Sequence, residues 1–252
     1  MLLAIDIGNT AVSTAAIGQK KILEENHLSS HLPPNVFRKK FKILLTHLVR
    51  SHGIFKRVII CSVVPDLTKL IETAVKTEWK ISGLVIGRDV KVPIKNNYNP
   101  RQIGQDRLVG AYAAKILYGF PAIIIDFGTA TTFDVVNVKG EYDGGLIVPG
   151  IRLSTETLFH KTALLPKIEN IRAPKSLVGK NTQDSILSGL FYGYGTMAAG
   201  LIDRIEKKMK GKAKVIITGG YTTLMKKYIL DKVDVIDNLL VYKGIMLLDK
   251  SA

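Results

Sequence analysis

The sequence predicts an α/β chain made of two related halves, each a mixed sheet flanked by helices. Three observations predict it. First, a pattern of apolar strand, acid, glycine and hydroxyl occurs twice. It reads Leu2-Leu3-Ala4-Ile5-Asp6-Ile7-Gly8-Asn9-Thr10 and then Ala122-Ile123-Ile124-Ile125-Asp126-Phe127-Gly128-Thr129-Ala130-Thr131-Thr132. Asp126 and Gly128 follow Asp6 and Gly8 by the same 120 positions. Second, Val58-Ile59-Ile60-Cys61-Ser62 is echoed by Val215-Ile216-Ile217-Thr218-Gly219-Gly220. Third, β-branched apolar runs alternate with segments of helical period. The repeat divides the chain into residues 1–120 and 121–252.

The acids in the repeated strands carry the first chemical inference. Asp6 and Asp126 interrupt apolar runs where burial is deepest. A buried carboxylate requires a cation, hydrogen-bond donors or water. Gly8 and Gly128 allow a tight turn and a close ligand approach. Thr10, Thr129, Thr131 and Thr132 add hydroxyls to the amides of the turns, a donor set suited to phosphate. Two such hairpins facing one another would clamp a polyphosphate in a cleft between the halves. A single Asp-x-Gly does no more than cap a turn; its recurrence after two apolar strands argues for the clamp.

Composition narrows the class. With 46% hydrophobic and 23% charged residues the chain has material for a large core and no mark of disorder. The lone Cys61 has no internal disulfide partner, which suits a reducing cytoplasm. The N-terminal apolar run is short and contains Asp6, so no signal peptide is expected. No apolar stretch of membrane-spanning length is expected either. The five histidines have no zinc-like spacing with Cys61. The net charge of +15 attracts polyanions without naming one. Its Lys and Arg are dispersed and read as solvated helix faces, so nucleic acid is not the expected partner.

In chain order, a polar link after the first hairpin leads to Pro33-Pro34-Asn35. Phe37, Phe41, Leu44, Leu45 and Leu48 then predict a helix closed by Gly53. A strand over residues 57–62 follows, and Asp66 is the expected N-cap of the next helix. After a short strand near residues 84–86, residues 94–101 read as a loop. The motif Ile103-Gly104-Gln105-Asp106-Arg107 then opens a helix stopped by Gly119 and Pro121. Asp106 fits a dipole-matched cap and equally a ligand-facing base. In the second half, Gly144 and Gly145 fit either a bulge or a close backbone approach. A long helix over residues 184–209 carries Gly189, Gly193, Gly195 and Gly200, which would let another helix come close. That partner is either its counterpart across a dimer or the Asp106 helix. A last strand near residues 233–236 and a helix near 239–248 finish the chain.

Repeated Asp-x-Gly hairpins in two βββαβαβ-like halves resemble the actin-like ATPase and sugar kinase superfamily, with ribonuclease H-like halves. Within it, four motifs in order resemble type III pantothenate kinase: Asp6-Ile7-Gly8-Asn9-Thr10, Gly104-Gln105-Asp106-Arg107, Asp126-Phe127-Gly128-Thr129-Ala130-Thr131-Thr132 and Gly144-Gly145-Leu146-Ile147-Val148-Pro149-Gly150. Ser62-Val63-Val64-Pro65 and Gly179-Lys180-Asn181-Thr182 also fit. Together they cover nearly the whole chain. The resemblance implies ATP-dependent phosphorylation of pantothenate, the first step of coenzyme A synthesis. It implies that Asp6, Ile7, Gly8, Asn9, Thr10, Ala11, Val12 and Ser13 bind the ATP phosphates, with Asp6 holding magnesium through water. Thr129 would contact ATP, and Asp126 would bind potassium or ammonium. Tyr98, Gly104, Gln105, Asp106, Arg107 and Thr182 would bind pantothenate, Thr182 reaching a partner subunit's site in a homodimer. Asp106 would be the catalytic base. The chain departs from the usual pattern at Ile103, Gly110 and the small Ala11-Val12-Ser13. Two other readings compete: a transcriptional accessory factor, and a kinase of the same superfamily with another small hydroxylated substrate.

Overall fold

The computed structural model describes residues 1–19 and 21–249. By compactness the chain divides into two units. One comprises residues 1–94, 99–113 and those from 239 on; the other comprises 95–98 and 114–238. The repeat boundary at residue 120 follows the sequence, whereas these units follow packing.

The first unit holds a five-stranded sheet. Its strands are β1 (Leu2–Ile7), β2 (Ala11–Gly18), β3 (Lys21–Ser29), β4 (Arg57–Ser62) and β5 (Leu84–Val85), in the order β3-β2-β1-β4-β5. β1 pairs antiparallel with β2 and parallel with β4. The expected polar link is therefore wrong over much of its length: it forms β3. Residues along β3 alternate between exposed and half-buried, as on a sheet edge, and none is fully buried, so the strand has no apolar signature. One sheet face packs Leu3, Ile5 and Ile7 against α1 (Pro34–His52) and α2 (Pro65–Trp79). Phe37, Phe41, Leu45 and Leu48 supply the buried stripe of α1, and Gly53 closes it at φ +89°. Asp66 is not an N-cap. Pro65 takes the first helical position, Val64 precedes it, and Asp66 lies in the first turn.

The opposite face packs Leu2, Ala4, Ile59 and Cys61 against α3 (Gln105–Tyr118) and α7 (Leu240–Asp249). These two helices meet at Gly244, where a Cβ would stand 2.8 Å from the Val109 carbonyl oxygen. Only a glycine permits that approach.

The second unit repeats the topology. Strands β6 (Ala122–Phe127), β7 (Ala130–Val136), β8 (Tyr142–Pro149), β9 (Lys214–Thr218) and β10 (Val235–Ile236) lie in the order β10-β9-β6-β7-β8. Ile123, Ile125 and Phe127 pack against α5 (Thr182–Met209) through Leu187, Phe191, Ala198 and Ile202, and Ile151 of α4 (Ile151–Lys161) joins them. The short α6 (Thr222–Met225) and two 3-10 turns lie between β9 and β10. By length and composition α5 is apolar enough to cross a membrane, against the expectation from sequence. Here its apolar residues form the core of the second unit. Gly195 of α5 receives the Tyr228 backbone, whereas Gly189, Gly193 and Gly200 face open space.

Candidate active site

Both acids of the repeat sit at the carboxyl ends of equivalent strands. Asp6 on β1 lies opposite Ser13 on β2 and Cys61 on β4. Asp126 on β6 lies opposite Thr132 on β7 and Thr218 on β9. Side chains directly opposite one another share a sheet face. Each acid therefore has a hydroxyl neighbour on one side and a small Cys or Thr on the other.

The first turn is closed by the Gly8 N–H donating to the Ala11 carbonyl at 2.9 Å. Ser30 braces it, its Oγ donating to the Gly8 carbonyl and its N–H to the Thr10 carbonyl. Asn9 and Thr10 are exposed, while Ile7 and Val12 belong to the core. Ile7 and Val12 can thus offer a ligand only their backbone. Ser13 Oγ lies 2.7 Å from His27 Nδ1 on β3. The phenol of Tyr242, on α7, is pushed well up by burial and then by the Asp6 carboxylate. Sequence patterning had no means of bringing that helix to Asp6.

Asp106 occupies the first turn of α3 and is half-buried. Its Oδ1 accepts the Arg107 N–H at 2.8 Å. A Cβ at Gly104 would overlap that Oδ1, so the glycine of the motif leaves room for the carboxylate. The Gln105 amide lies against Gly87, and Val63 lies beside Gly104. Burial raises the Asp106 carboxyl above its ordinary value, only partly offset by the Arg107 N–H and guanidinium. Cys61 ties this acid to the first: its thiol is pushed far up by burial, then by the charges of Asp6 and Asp106. Within the first unit, the structure thus brings Asp6, Asp106 and Arg107 to one neighbourhood.

In the second unit the Gly128 N–H donates to the Ala130 carbonyl at 3.2 Å, leaving Thr129 exposed. The Gly150 N–H donates to the Thr129 carbonyl at 3.0 Å, and a Cβ at Gly150 would overlap the Gly128 and Thr129 carbonyls. The last glycine of the Gly144–Gly150 motif is therefore a brace for the Gly128–Thr129 turn. Asp126 Oδ1 is enclosed by Gly128 and by Gly219, which has φ +97°. Tyr98 is half-buried beside Gly144. Of the two roles open to Gly144, the structure shows the bulge: the β7–β8 register shifts between Asp134 opposite Gly145 and Val136 opposite Tyr142, and Gly144 has φ +95° with the Tyr98 ring beside it. Thr182 opens α5, exposed, after the N-cap Asn181. It stands on a different element from Tyr98.

The chain is similar to known proteins both in fold and in sequence. Among solved structures, the ethanolamine utilization protein EutJ from Carboxydothermus hydrogenoformans superposes with a TM-score of 0.60 at 14% identity, over 98% of this chain and 89% of that one. A ROK family glucokinase from Streptomyces griseus, solved with glucose and AMPPNP, gives 0.55 at 12% identity, over 100% and 98%. These likenesses show the fold, that of the actin-like ATPases and sugar kinases. Sequence relatives are much nearer. The type III pantothenate kinase of Halalkalibacterium halodurans is 38% identical over 99% of both chains. That of a Sulfurihydrogenibium species is 40% identical over 99% of this chain and 100% of its own. Residues 2–204 match the family described as type III pantothenate kinase, and the chain belongs to that family.

Proposed function

We propose that this chain carries out the reaction of its family: transfer of the ATP γ-phosphoryl group to the primary hydroxyl of pantothenate, the first step of coenzyme A synthesis. The products are phosphopantothenate, ADP and a proton. The observation that carries the reading is Asp106, a half-buried carboxylate with a raised pKa that shares the surroundings of Cys61 with Asp6.

Phosphoryl transfer rests on positioning and on neutralising phosphate charge. The Gly8–Ser13 and Gly128–Thr129 turns offer backbone amides and hydroxyls to the ATP phosphates. Asp6 fits magnesium held through water, since that ion keeps most of its hydration shell. Asp126 fits potassium or ammonium: its carboxylate is hemmed by glycines that leave space beside it, with Thr132 and Thr218 alongside. When bound, these ions would supply positive charge that offsets the charge of the phosphates. Asp106 takes the proton of the pantothenate hydroxyl as its oxygen attacks, help worth roughly 10²–10⁴-fold. Arg107 and the net charge of +15 favour the pantothenate carboxylate. Tyr98, Gly104 and Gln105 are assigned to pantothenate on the family resemblance.

We assign the active form to a homodimer in the cytoplasm, with no membrane or nucleic-acid partner. Exposed Leu146 and Leu153, with the open glycines of α5, support a second copy as cover. Thr182 would then serve the partner's site.

The test is ATP consumption by the purified chain with pantothenate, against a panel of sugars and hydroxy acids. Turnover confined to pantothenate is expected. Turnover with a sugar instead would move the chain to another substrate of the same fold. The transcriptional accessory reading predicts no turnover with any of them.

A further inference from the structure

Asp134 is a carboxylate that the phosphoryl-transfer reading leaves unused. It lies on β7 two residues beyond Thr132, on the same face, and is 3% exposed. Its Oδ2 accepts the Thr132 hydroxyl at 3.1 Å, and its Oδ1 accepts the Tyr142 hydroxyl at 2.7 Å. Tyr142 itself is fully buried at the start of β8. A buried phenol bonded to a buried carboxylate has little freedom to move, because breaking the bond would strand both groups.

Tyr142 is also where residues 95–98 attach. Its N–H donates to the Lys95 carbonyl at 2.8 Å, and its carbonyl accepts the Asn97 N–H at 2.9 Å. Next to it, Glu141 accepts from Lys95 Nζ at 2.7 Å and from Asn97 Nδ2 at 3.0 Å. Asn96 Oδ1 caps the Tyr98 N–H at 2.8 Å. The Tyr98 ring meets the Tyr142 ring edge-on, with centroids 6.4 Å apart and planes at 75°. Gly144 then leaves the room into which the Tyr98 ring fits: a Cβ there would stand 3.2 Å from Tyr98 Cδ2. The segment read as a loop from sequence is thus stitched to the start of β8 through both backbone groups of Tyr142, with the Glu141 and Asp143 carboxylates also holding it, and Tyr142 is anchored by Asp134.

Resting on the assignment of Tyr98 to pantothenate, we propose that Asp134 is a positioning residue for that substrate: by holding the Tyr142 hydroxyl it fixes residues 95–98 and the plane of the Tyr98 ring. It touches no reacting atom. Loss of the Tyr142 hydroxyl acts on pantothenate binding and spares the phosphoryl-transfer machinery, since Asp134 still accepts the Thr132 hydroxyl beside Asp126.

The experiment compares Asp134→Ala, Asp134→Asn, Tyr142→Phe and Tyr98→Ala in the full chain by hydrogen exchange and by steady-state kinetics. Losing a hydrogen bond to a buried charge is expected to raise KM for pantothenate by about tenfold in Asp134→Ala and Tyr142→Phe. In Tyr142→Phe, which leaves the Thr132–Asp134 bond in place, KM for ATP and kcat should stay within about twofold, and exchange at the Asn97 amide should quicken. Asp134→Asn keeps an acceptor for Tyr142 and should restore KM to within about threefold of wild type. The Asp134→Ala/Tyr142→Phe double variant should be no worse than either single one, as for two members of one unit. Unchanged exchange at Asn97 in Tyr142→Phe overturns the proposal, and that variant serves if Asp134→Ala does not fold. Equal rises in KM for ATP and for pantothenate overturn it too, since they report general loosening. If Tyr98→Ala leaves KM for pantothenate unchanged, the substrate role of the segment falls. A wild-type chain idle with pantothenate removes the functional reading instead, and exchange at Asn97 still decides whether Asp134 holds the segment.

Discussion

No side chain fits at Gly219, because a Cβ there would overlap Oδ1 of Asp126. The turn after β9 is therefore built around the carboxylate at the end of β6. Gly219 also has φ +97°, a conformation that costs a non-glycine residue about 1–3 kcal/mol. Gly219→Ala should lower both the melting temperature and turnover. Gly53→Ala is the control: Gly53 has φ +89° but open space around it. That variant should lose stability and keep its kcat. Calorimetry and kinetics on the pair separate backbone strain from displacement of Asp126. Equal activity losses in both would break the link between Gly219 and the carboxylate.

The monovalent-ion assignment makes a prediction of its own. If Asp126 holds potassium or ammonium, rates should climb steeply with either ion and stay low in sodium alone. Asp126→Asn should flatten that response and reduce turnover together. Titration of initial rate against each chloride salt at constant ionic strength is the measurement. Identical curves for sodium and potassium would remove the ion from Asp126.

Much of this arrangement was legible in the sequence, and the limits have physical causes. The spacing from Asp6 to Asp126 placed both acids at equivalent strand ends because strand, acid and glycine are local signals. The echo of Cys61 in Thr218 held in register, since each lies opposite its acid on the parallel neighbour. β3 was missed because an edge strand with polar residues on both faces lacks an apolar period. Asp66 was misread because a proline at the first helical position displaces the cap. The contacts of Tyr142 with Asp134 and of Tyr242 with the Asp6 face depend on tertiary packing. Thr132 and Asp134, polar residues two apart on one face of β7, were the available hint of the first.

The proposed homodimer is open to direct test. Leu146 on β8 is 36% exposed, and Leu153 on α4 is 42% exposed. Sedimentation should give the mass of two 27.7 kDa chains at working concentration. Leu153→Glu puts a charge in the apolar cover and should shift the chain toward monomer with little effect on its circular dichroism. Activity should fall along with the dimer fraction, because Thr182 serves the partner's site in this reading. A monomeric variant with full turnover would sink the shared site.

Asp106 separates chemistry from folding. Burial lifts its carboxyl above the ordinary value of 3.8, so the folded chain holds that proton more tightly than the unfolded one. Ionised Asp106 therefore subtracts stability. The loss is absent below the unfolded pKa and sets in as pH rises through the raised folded value. Asp106→Asn cannot ionise, and its amide oxygen can still accept the Arg107 N–H. The variant should be at least as stable as wild type near neutral pH, with the difference closing in acid. Its kcat should fall by about 10²-fold or more, because the base is gone, while ATP binding stays near normal. The wild type should lose kcat/KM on acidification through a pKa above the ordinary carboxylate range, and the variant's residual rate should lack that limb. A helix cap would behave differently: Asn caps as well as Asp, so turnover would persist. Thermal melts, ATP titration and a pH–rate profile on the two proteins measure all of this. A folded Asp106→Asn chain with near-wild-type kcat would falsify the assignment of the base.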